Sequence, residues 1–275
     1  MIFYKTSTLG NDFIVVDKKQ LIKGENHCKL ALSWCHRRFS IGADGLVLYQ
    51  KLDNNSYAFE IINSDGSSAE LSGNGMAGLA AVLWRRRLVK GQVTLLTRAG
   101  RRRVIPAGRE AGLYRLQTEI GQADFGHTES FPFLLAGQIS HVYQDIEFYP
   151  VSIGNPHAVI VLPGWPEKNE LPSMAEKLAR APIFPTGVNV EIVHRDAAGD
   201  FQVLYRERGA GITMFSGTGS AAVYAVLQKH LKFTGPLSLS FGPEQVLLLK
   251  KDETIFIENN TAIVYKGIKC DMRLS

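Results

Sequence analysis

Two segments of the chain are apolar on nearly every face, Met76 to Trp84 and Ser220 to Leu227, and each follows a glycine-rich turn. A helix without a polar face has to be buried, so the pattern predicts two core helices. Cys28 to Arg38 and Ser173 to Ala181 carry apolar residues on one side only and predict two amphipathic helices. Most other apolar runs are short. Phe13 to Val16, Leu46 to Leu48, Tyr57 to Ile62, Ala158 to Leu162 and Phe201 to Tyr205 are bounded by Gly, Asn, Asp or Pro turns and read as strands.

These elements repeat. Leu71 to Leu83 aligns without gaps on Phe215 to Leu227, with seven of thirteen residues identical, and places Ser216 144 residues after Ser72. Other landmarks recur at the same offset. Gly10-Asn11 precedes Gly154-Asn155 by that distance, and Asn63, ending one apolar run, precedes Glu207, ending another. The turn at Gly42-Ala43-Asp44-Gly45 has a looser counterpart in Gly187-Val188-Asn189. A duplicated module accounts for all of them. The expected fold is therefore α+β: two pseudo-symmetric domains, each a mainly antiparallel sheet wrapped round a central apolar helix, facing each other across a cleft that holds the site.

The chain has 275 residues, 45% hydrophobic and 21% charged, which excludes a disordered or fibrous protein. No run approaches the roughly 18 uncharged apolar residues of a membrane span, so no membrane is expected. No basic region followed by an apolar stretch opens the chain, and the cytoplasm is the expected compartment. Cys28, Cys35 and Cys270 are too few for a disulfide framework. The spacing of His27-Cys28 and Cys35-His36 suits no common zinc pattern, and no metal is expected. A net charge of +5 raises the question of nucleic acid. The charge clusters at Arg85 to Arg87, where a helix ends, and at Arg98 and Arg101 to Arg103 around a hairpin glycine. Cations at a helix C-terminus and on a solvated hairpin account for both clusters. No nucleic-acid motif accompanies them, and no nucleic-acid partner is expected.

Candidate chemistry gathers where the core helices begin. Free backbone N–H groups and the positive end of the helix dipole make each Ser-Gly-x-Gly start a ready anion site. Gly73 to Gly78 also fits the dinucleotide string G-x-G-x-x-G, but no Asp or Glu occurs from Leu79 to Arg109 to take a ribose. Arg98 is left as the one candidate for a 2′-phosphate. Ser72 and Ser216 are not in a nucleophile elbow, although His157, with Asp65 or Asp44, would complete a triad on paper. Helix capping is the structural reading of both serines.

Gly10-Asn11-Asp12-Phe13, Gly42-Ala43-Asp44-Gly45, Asn63-Ser64-Asp65-Gly66, Ser72-Gly73-Asn74-Gly75, Gly154-Asn155-Pro156-His157, Asn189, Glu207-Arg208-Gly209-Ala210-Gly211 and Ser216-Gly217-Thr218-Gly219 follow one another as in the diaminopimelate epimerase family, which the chain resembles through Tyr265. The resemblance implies a duplicated fold, with expected domains of residues 1–122 plus 264–275 and 123–263. It also implies chemistry without pyridoxal phosphate or any other cofactor, and a homodimer with Tyr265 near its interface. It implies a small-molecule amino-acid substrate. Asn11, Asn63, Gly73, Asn74, Asn155, Asn189, Glu207, Arg208, Gly217 and Thr218 match the positions that hold the substrate. Arg208 can grip a carboxylate bidentately and Glu207 can accept from an ammonium. For the asparagines taken singly, turn chemistry is the competing reading.

In the resembled family two cysteines flank the substrate α-carbon, one taking its proton and the other delivering one to the opposite face. Both matching positions here are serine, Ser72 and Ser216. A thiol ionises near pKa 8.5 and lower at a helix start, whereas a hydroxyl ionises several units higher. Ala77 and Ile212 stand where the family usually has arginine and glutamate. The expectation is an epimerase-like isomerase acting at the α-carbon of diaminopimelate or an analogue, of the lysine and peptidoglycan precursor type. The alternatives are a changed chemistry, such as dehydration of a hydroxy amino acid, and a catalytically silent paralogue, or an epimerase with its two cysteines replaced by serine, that binds an amino-acid zwitterion.

Overall fold

In a computed structural model, residues 1–126, 129–135, 137–165, 170–241 and 244–270 are described. The first half contains β1 (Ile2–Thr8), β2 (Asn11–Asp17), α1 (His27–Trp34), β3 (Gly45–Lys51), β4 (Ser56–Asn63), β5 (Ser68–Ala69), α2 (Gly73–Arg85), β6 (Val93–Thr97), β7 (Gly100–Glu110) and β8 (Leu113–Gln122). After β9 (His141–Tyr143) come β10 (Ile146–Ser152), β11 (Pro156–Leu162), α3 (Glu170–Ala179), β12 (Asn189–Arg195), β13 (Phe201–Glu207), β14 (Gly211–Thr213), α4 (Gly217–His230), β15 (Leu237–Phe241), β16 (Glu244–Lys251) and β17 (Thr254–Ile268). Shifted by 144 residues, β1, β3 and β6 coincide with β10, β12 and β15, and each remaining first-half element overlaps its counterpart.

The pairing repeats as well. β1 runs antiparallel to β2, β2 parallel to β3, β3 antiparallel to β4, and β4 parallel to β6. β10 to β13 and β15 repeat that scheme, so the modules are α+β and mainly antiparallel. Two compact units result, one from Met1–Glu119 with the described residues from Glu258 onward, the other from Ile120–Ile257. The last five residues of the expected first domain, 271–275, lie outside the described residues.

The parallel pair explains the unbroken apolar runs, because a parallel strand is covered on both faces. Phe13, Val15, Val47 and Tyr49 point into a core built round α2. Their neighbours Ile14, Val16, Leu46 and Leu48 point the other way, onto Leu30, Ala31 and Trp34 of α1. Every residue of α2 from Gly75 to Leu83 is buried, as is every residue of α4 from Gly219 to Leu227. Burial of each large side chain, such as Met76 or Leu79, contributes about 1.5–3 kcal/mol. In the second unit Ala158, Ile160, Val190 and Ile192 pack on Leu171, Ala175 and Leu178 of α3.

The amphipathic helices differ from the sequence expectation at their ends. α1 stops at Trp34 rather than Arg38, because Gly42 and Ala43 N–H groups take the Trp34 and Cys35 carbonyls and turn the chain away. The turn releases Arg37 to reach Asp12 and Asp44. α3 runs three residues earlier than Ser173 and ends at Ala179, where the Arg180 N–H bonds the Glu176 carbonyl. Among the described residues no helix is long and apolar enough to cross a membrane.

Candidate active site

In the first unit, Ser72 is the N-cap of α2. Its extended backbone (φ −147°) lets Oγ accept the Gly75 N–H at 3.1 Å. Asn74, in the first turn, donates to Asn11 Oδ1 at 2.9 Å, and Asn11 donates to Asp44 Oδ2 at 3.2 Å. Asn11 is presented by the β1–β2 turn, where Gly10 adopts φ +79°. Beneath it, Asp12 is held by Lys5 at 2.7 Å and Arg37 at 2.8 Å. Burial alone raises the Asp12 carboxyl, but the hydrogen bonds and charges of Arg37 and Lys5 overcome it and hold the group at about 2. Asn63 ends β4 and donates to Ser67 Oγ at 2.9 Å. Among the described residues, no carboxylate reaches Ser72 Oγ.

The second unit repeats this plan with different chemistry. Ser216 caps α4 through the Gly219 N–H at 3.2 Å, and its hydroxyl donates to Glu207 Oε2 at 3.0 Å. Glu207 Oε1 accepts from Thr213 Oγ1 at 2.8 Å. Glu207 occupies the place of Asn63, so the offset puts a carboxylate beside one serine and an amide in the corresponding place near the other. Gly219 has no room for a side chain, since a Cβ would lie 2.6 Å from Glu191 Oε1 and 3.0 Å from Tyr205 Cδ1. That contact explains the second glycine of Ser-Gly-x-Gly in this unit.

Asn155 donates weakly to Thr218 Oγ1 at 3.5 Å, the counterpart of the Asn11–Asn74 bond. Its Oδ1 lies 3.0 Å from His157 Nε2, and His157 Nδ1 lies 2.9 Å from Glu191 Oε1, with both His157 and Glu191 fully buried. His157 is thus a positioning residue in a chain from Glu191 to the start of α4. It does not approach either serine by hydrogen bond, and the paper triad is not assembled. Sequence reasoning missed Glu191 altogether. The parallel register pairing His157 with Asn189 sets Glu191 on the same face as His157, a relation that only the fold supplies. Burial pushes the Tyr205 phenol up, and its hydroxyl bonds Ser220 Oγ at 2.7 Å.

Asn189 is almost buried and both ends of its amide are committed to backbone. It donates to the Pro156 carbonyl and accepts the Arg208 N–H at 2.9 Å. It therefore fixes the turn from which the exposed Arg208 projects. One guanidinium nitrogen of Arg208 bonds the Thr186 carbonyl at 2.7 Å, and the chain side of that contact is Gly187, where a Cβ would meet Arg208 Cδ at 3.0 Å. Gly73 and Gly217 open their helices as the first residues after each cap. Ala77 is fully buried in the α2 core, while Ile212 is exposed on β14. Among the described residues no group of three or more metal-ligating side chains forms.

Two copies of one module, each with a buried helix that starts at a serine cap and a cluster of amide and carboxylate groups, define the duplicated α+β class of epimerase-like isomerases. The family model for diaminopimelate epimerase matches residues 3–122 and 149–258. The chain is 34% identical over 280 residues to a diaminopimelate epimerase of Carboxydothermus hydrogenoformans, covering 97% of this chain and 98% of that one. It is 29% identical over 299 residues to a diaminopimelate epimerase of Desulfitobacterium hafniense, with both chains covered completely. Its fold is similar to that of a methylitaconate-delta-isomerase, with a TM-score of 0.70 at 12% identity over 97% of this chain and 95% of the other. The chain belongs to the diaminopimelate epimerase family.

Proposed function

We propose that this chain is an isomerase acting at the α-carbon of an amino-acid zwitterion, diaminopimelate or an analogue, in the cytoplasm and with no resident cofactor. Ser72 and Ser216 stand at its two proton-transfer positions. The observation that carries the reading is the Ser216 hydroxyl aimed at Glu207 while its oxygen accepts an N–H at the start of α4. A carboxylate beside the hydroxyl is a general base for it, and the helix start favours the oxyanion. Glu207 takes the Ser216 proton as Ser216 Oγ takes the α-proton. The C–H electron pair remains on the α-carbon and spreads into the substrate carboxylate. Ser72 gives its proton to the opposite face, and solvent returns a proton from Glu207 to Ser72. Arg208 receives the substrate carboxylate, Asn189 positions Arg208, and Asn11, Asn63, Asn74, Asn155, Gly73, Gly217 and Thr218 complete the polar surround.

Proton transfer through two hydroxyls is slower than through two thiols, since each unit of acidity is worth about 1.4 kcal/mol. Ser72, which among the described residues has only the Gly75 N–H to support an alkoxide, sets the rate. The same feature favours a second reading, a protein that binds the zwitterion without turnover. The test is α-proton exchange into D2O with each diaminopimelate stereoisomer and the common amino acids. Exchange supports the isomerase. Its absence, together with a ligand-induced rise in Tm that Arg208→Ala removes, supports the silent binder.

A homodimer formed along β17 belongs to the same proposal. Val264, Tyr265 and Ile268 are exposed there, and Tyr265 packs edge-on against Phe3 at 5.9 Å. Light scattering on the eluted protein measures its mass, and a monomer at micromolar concentration overturns this part.

A further inference from the structure

A cavity of about 550 Å³ opens in the second unit at the C-terminal end of α4. It lies at the end of α4 opposite Ser216, and fourteen residues of helix separate the two ends by about 20 Å. Val161, Val193, Phe201 and Leu227 form apolar walls, and Arg195 and Lys232 bring two cations to the lining. Among the described residues no carboxylate lines it. Its size falls within the range of small-molecule sites.

The other module shows what is missing here. Asp17, Tyr49 and Arg86 are the residues 144 positions before Val161, Val193 and His230. In the first unit Arg86 bonds the Tyr49 hydroxyl and lies 3.8 Å from Asp17, so the cation, its acceptor and its counter-ion are all internal. In the second unit the acid and the phenol are valine and the arginine is His230, while Arg195 and Lys232 stand where the first unit has Lys51 and Leu88. Arg195 spends Nε on the Gly199 carbonyl at 2.8 Å and lies over the Phe201 ring at 5.5 Å. Neither it nor Lys232 has an ion-pair partner among the described residues.

Lys232, at φ +53°, is the residue that turns the chain out of α4, with the Phe233 N–H on the Leu227 carbonyl, as Arg87 at φ +57° does after α2. His194 also lines the cavity, is only 7% exposed, and has neither ring nitrogen hydrogen-bonded among the described residues. The Trp165 ring lies against it at 4.4 Å.

We propose that this cavity binds an apolar monocarboxylate, with the carboxylate between Arg195 and Lys232 and the apolar body on Val161, Val193, Phe201 and Leu227. Among the described residues no carboxylate offers an ammonium a counter-ion there, which separates this ligand class from the amino acid assigned to Arg208. The full chain is titrated with octanoate and 3-phenylpropionate, read by Trp165 emission and Tm, with the matching alcohols as neutral probes.

The expected result is saturable binding of the acids with the alcohols at least tenfold weaker. Lys232→Gly suits the positive φ of that turn and keeps the fold, and Val161→Asp restores the acid found at Asp17. Each weakens octanoate at least tenfold, while Arg208→Ala leaves it unchanged. No saturable binding, equal binding of acid and alcohol, or parental affinity in Lys232→Gly and Val161→Asp overturns the proposal. Loss of octanoate binding in Arg208→Ala also overturns it, and assigns the anion to the amino-acid site.

Discussion

Ser216 Oγ donates to Glu207 Oε2 at 3.0 Å, whereas the Oγ of Ser72, its counterpart in the duplicated module, bonds only the Gly75 N–H among the described residues. The duplication thus preserves the helix cap in both units but supplies a proton acceptor in one. A symmetric fold has become chemically asymmetric through one position, Asn63 against Glu207.

Glu207→Gln tests that asymmetry. An amide accepts from one of the two hydroxyls and donates to the other, but does not act as a base at neutral pH. General-base catalysis is worth about 10²–10⁴ in rate. The α-proton exchange rate should fall by at least about 100-fold with Tm nearly unchanged. An unaltered rate would remove Glu207 from the proton path.

The double variant Ser72→Cys with Ser216→Cys should raise exchange by at least about 100-fold over the parent, because a thiol ionises several units below a hydroxyl and a helix start lowers it further. Mass spectrometry of deuterium incorporation into diaminopimelate measures it. No gain would locate the defect in the surroundings, with Ala77 and Ile212 the first positions to examine.

The core helices and the duplication were legible in the sequence because all-round apolarity has one physical outcome and the offset is fixed by repeated landmarks. The equivalence of Asn63 and Glu207 followed from that offset, though the direct contact to Ser216 did not. The end of α1 was not legible. It depends on the Gly42 and Ala43 N–H groups taking the Trp34 and Cys35 carbonyls, a turn that Arg37 then ties to Asp12. Glu191 was equally hidden, a carboxyl inside an apolar strand that is explained by its contact with His157 across a parallel register. The commitment of Asn189 to backbone required the same long-range information. Local pattern names a strand or a helix, but only pairing tells which side chains its faces meet.

The cluster round Asp12 makes stability depend on acid. The folded carboxyl is held at about 2, below its unfolded value near 3.9, so its contribution is complete above about pH 4 and is lost as pH falls through 2. The group is partly exposed and solvent screens it, leaving on the order of 1 kcal/mol. Chemical denaturation at pH 2, 3, 4 and 6 should show this loss in the parent. Asp12→Asn should be less stable at pH 6 and should show a flatter decline, and identical pH profiles would dismiss the ion cluster as a source of stability.

Capping and catalysis by Ser72 are separable with two substitutions. Ser72→Ala leaves the Gly75 N–H without its acceptor and should cost about 1 kcal/mol of stability. Asn caps a helix as well as serine does, so Ser72→Asn should stay within about 0.5 kcal/mol of the parent. It nevertheless removes the hydroxyl that would deliver a proton. If Ser72 is a proton donor, Ser72→Asn loses α-proton exchange while keeping the parental denaturation midpoint. If its only task is to cap α2, Ser72→Asn keeps both, and Ser72→Ala changes rate only as far as it changes stability. Midpoint and exchange rate measured on the same preparations decide between the two.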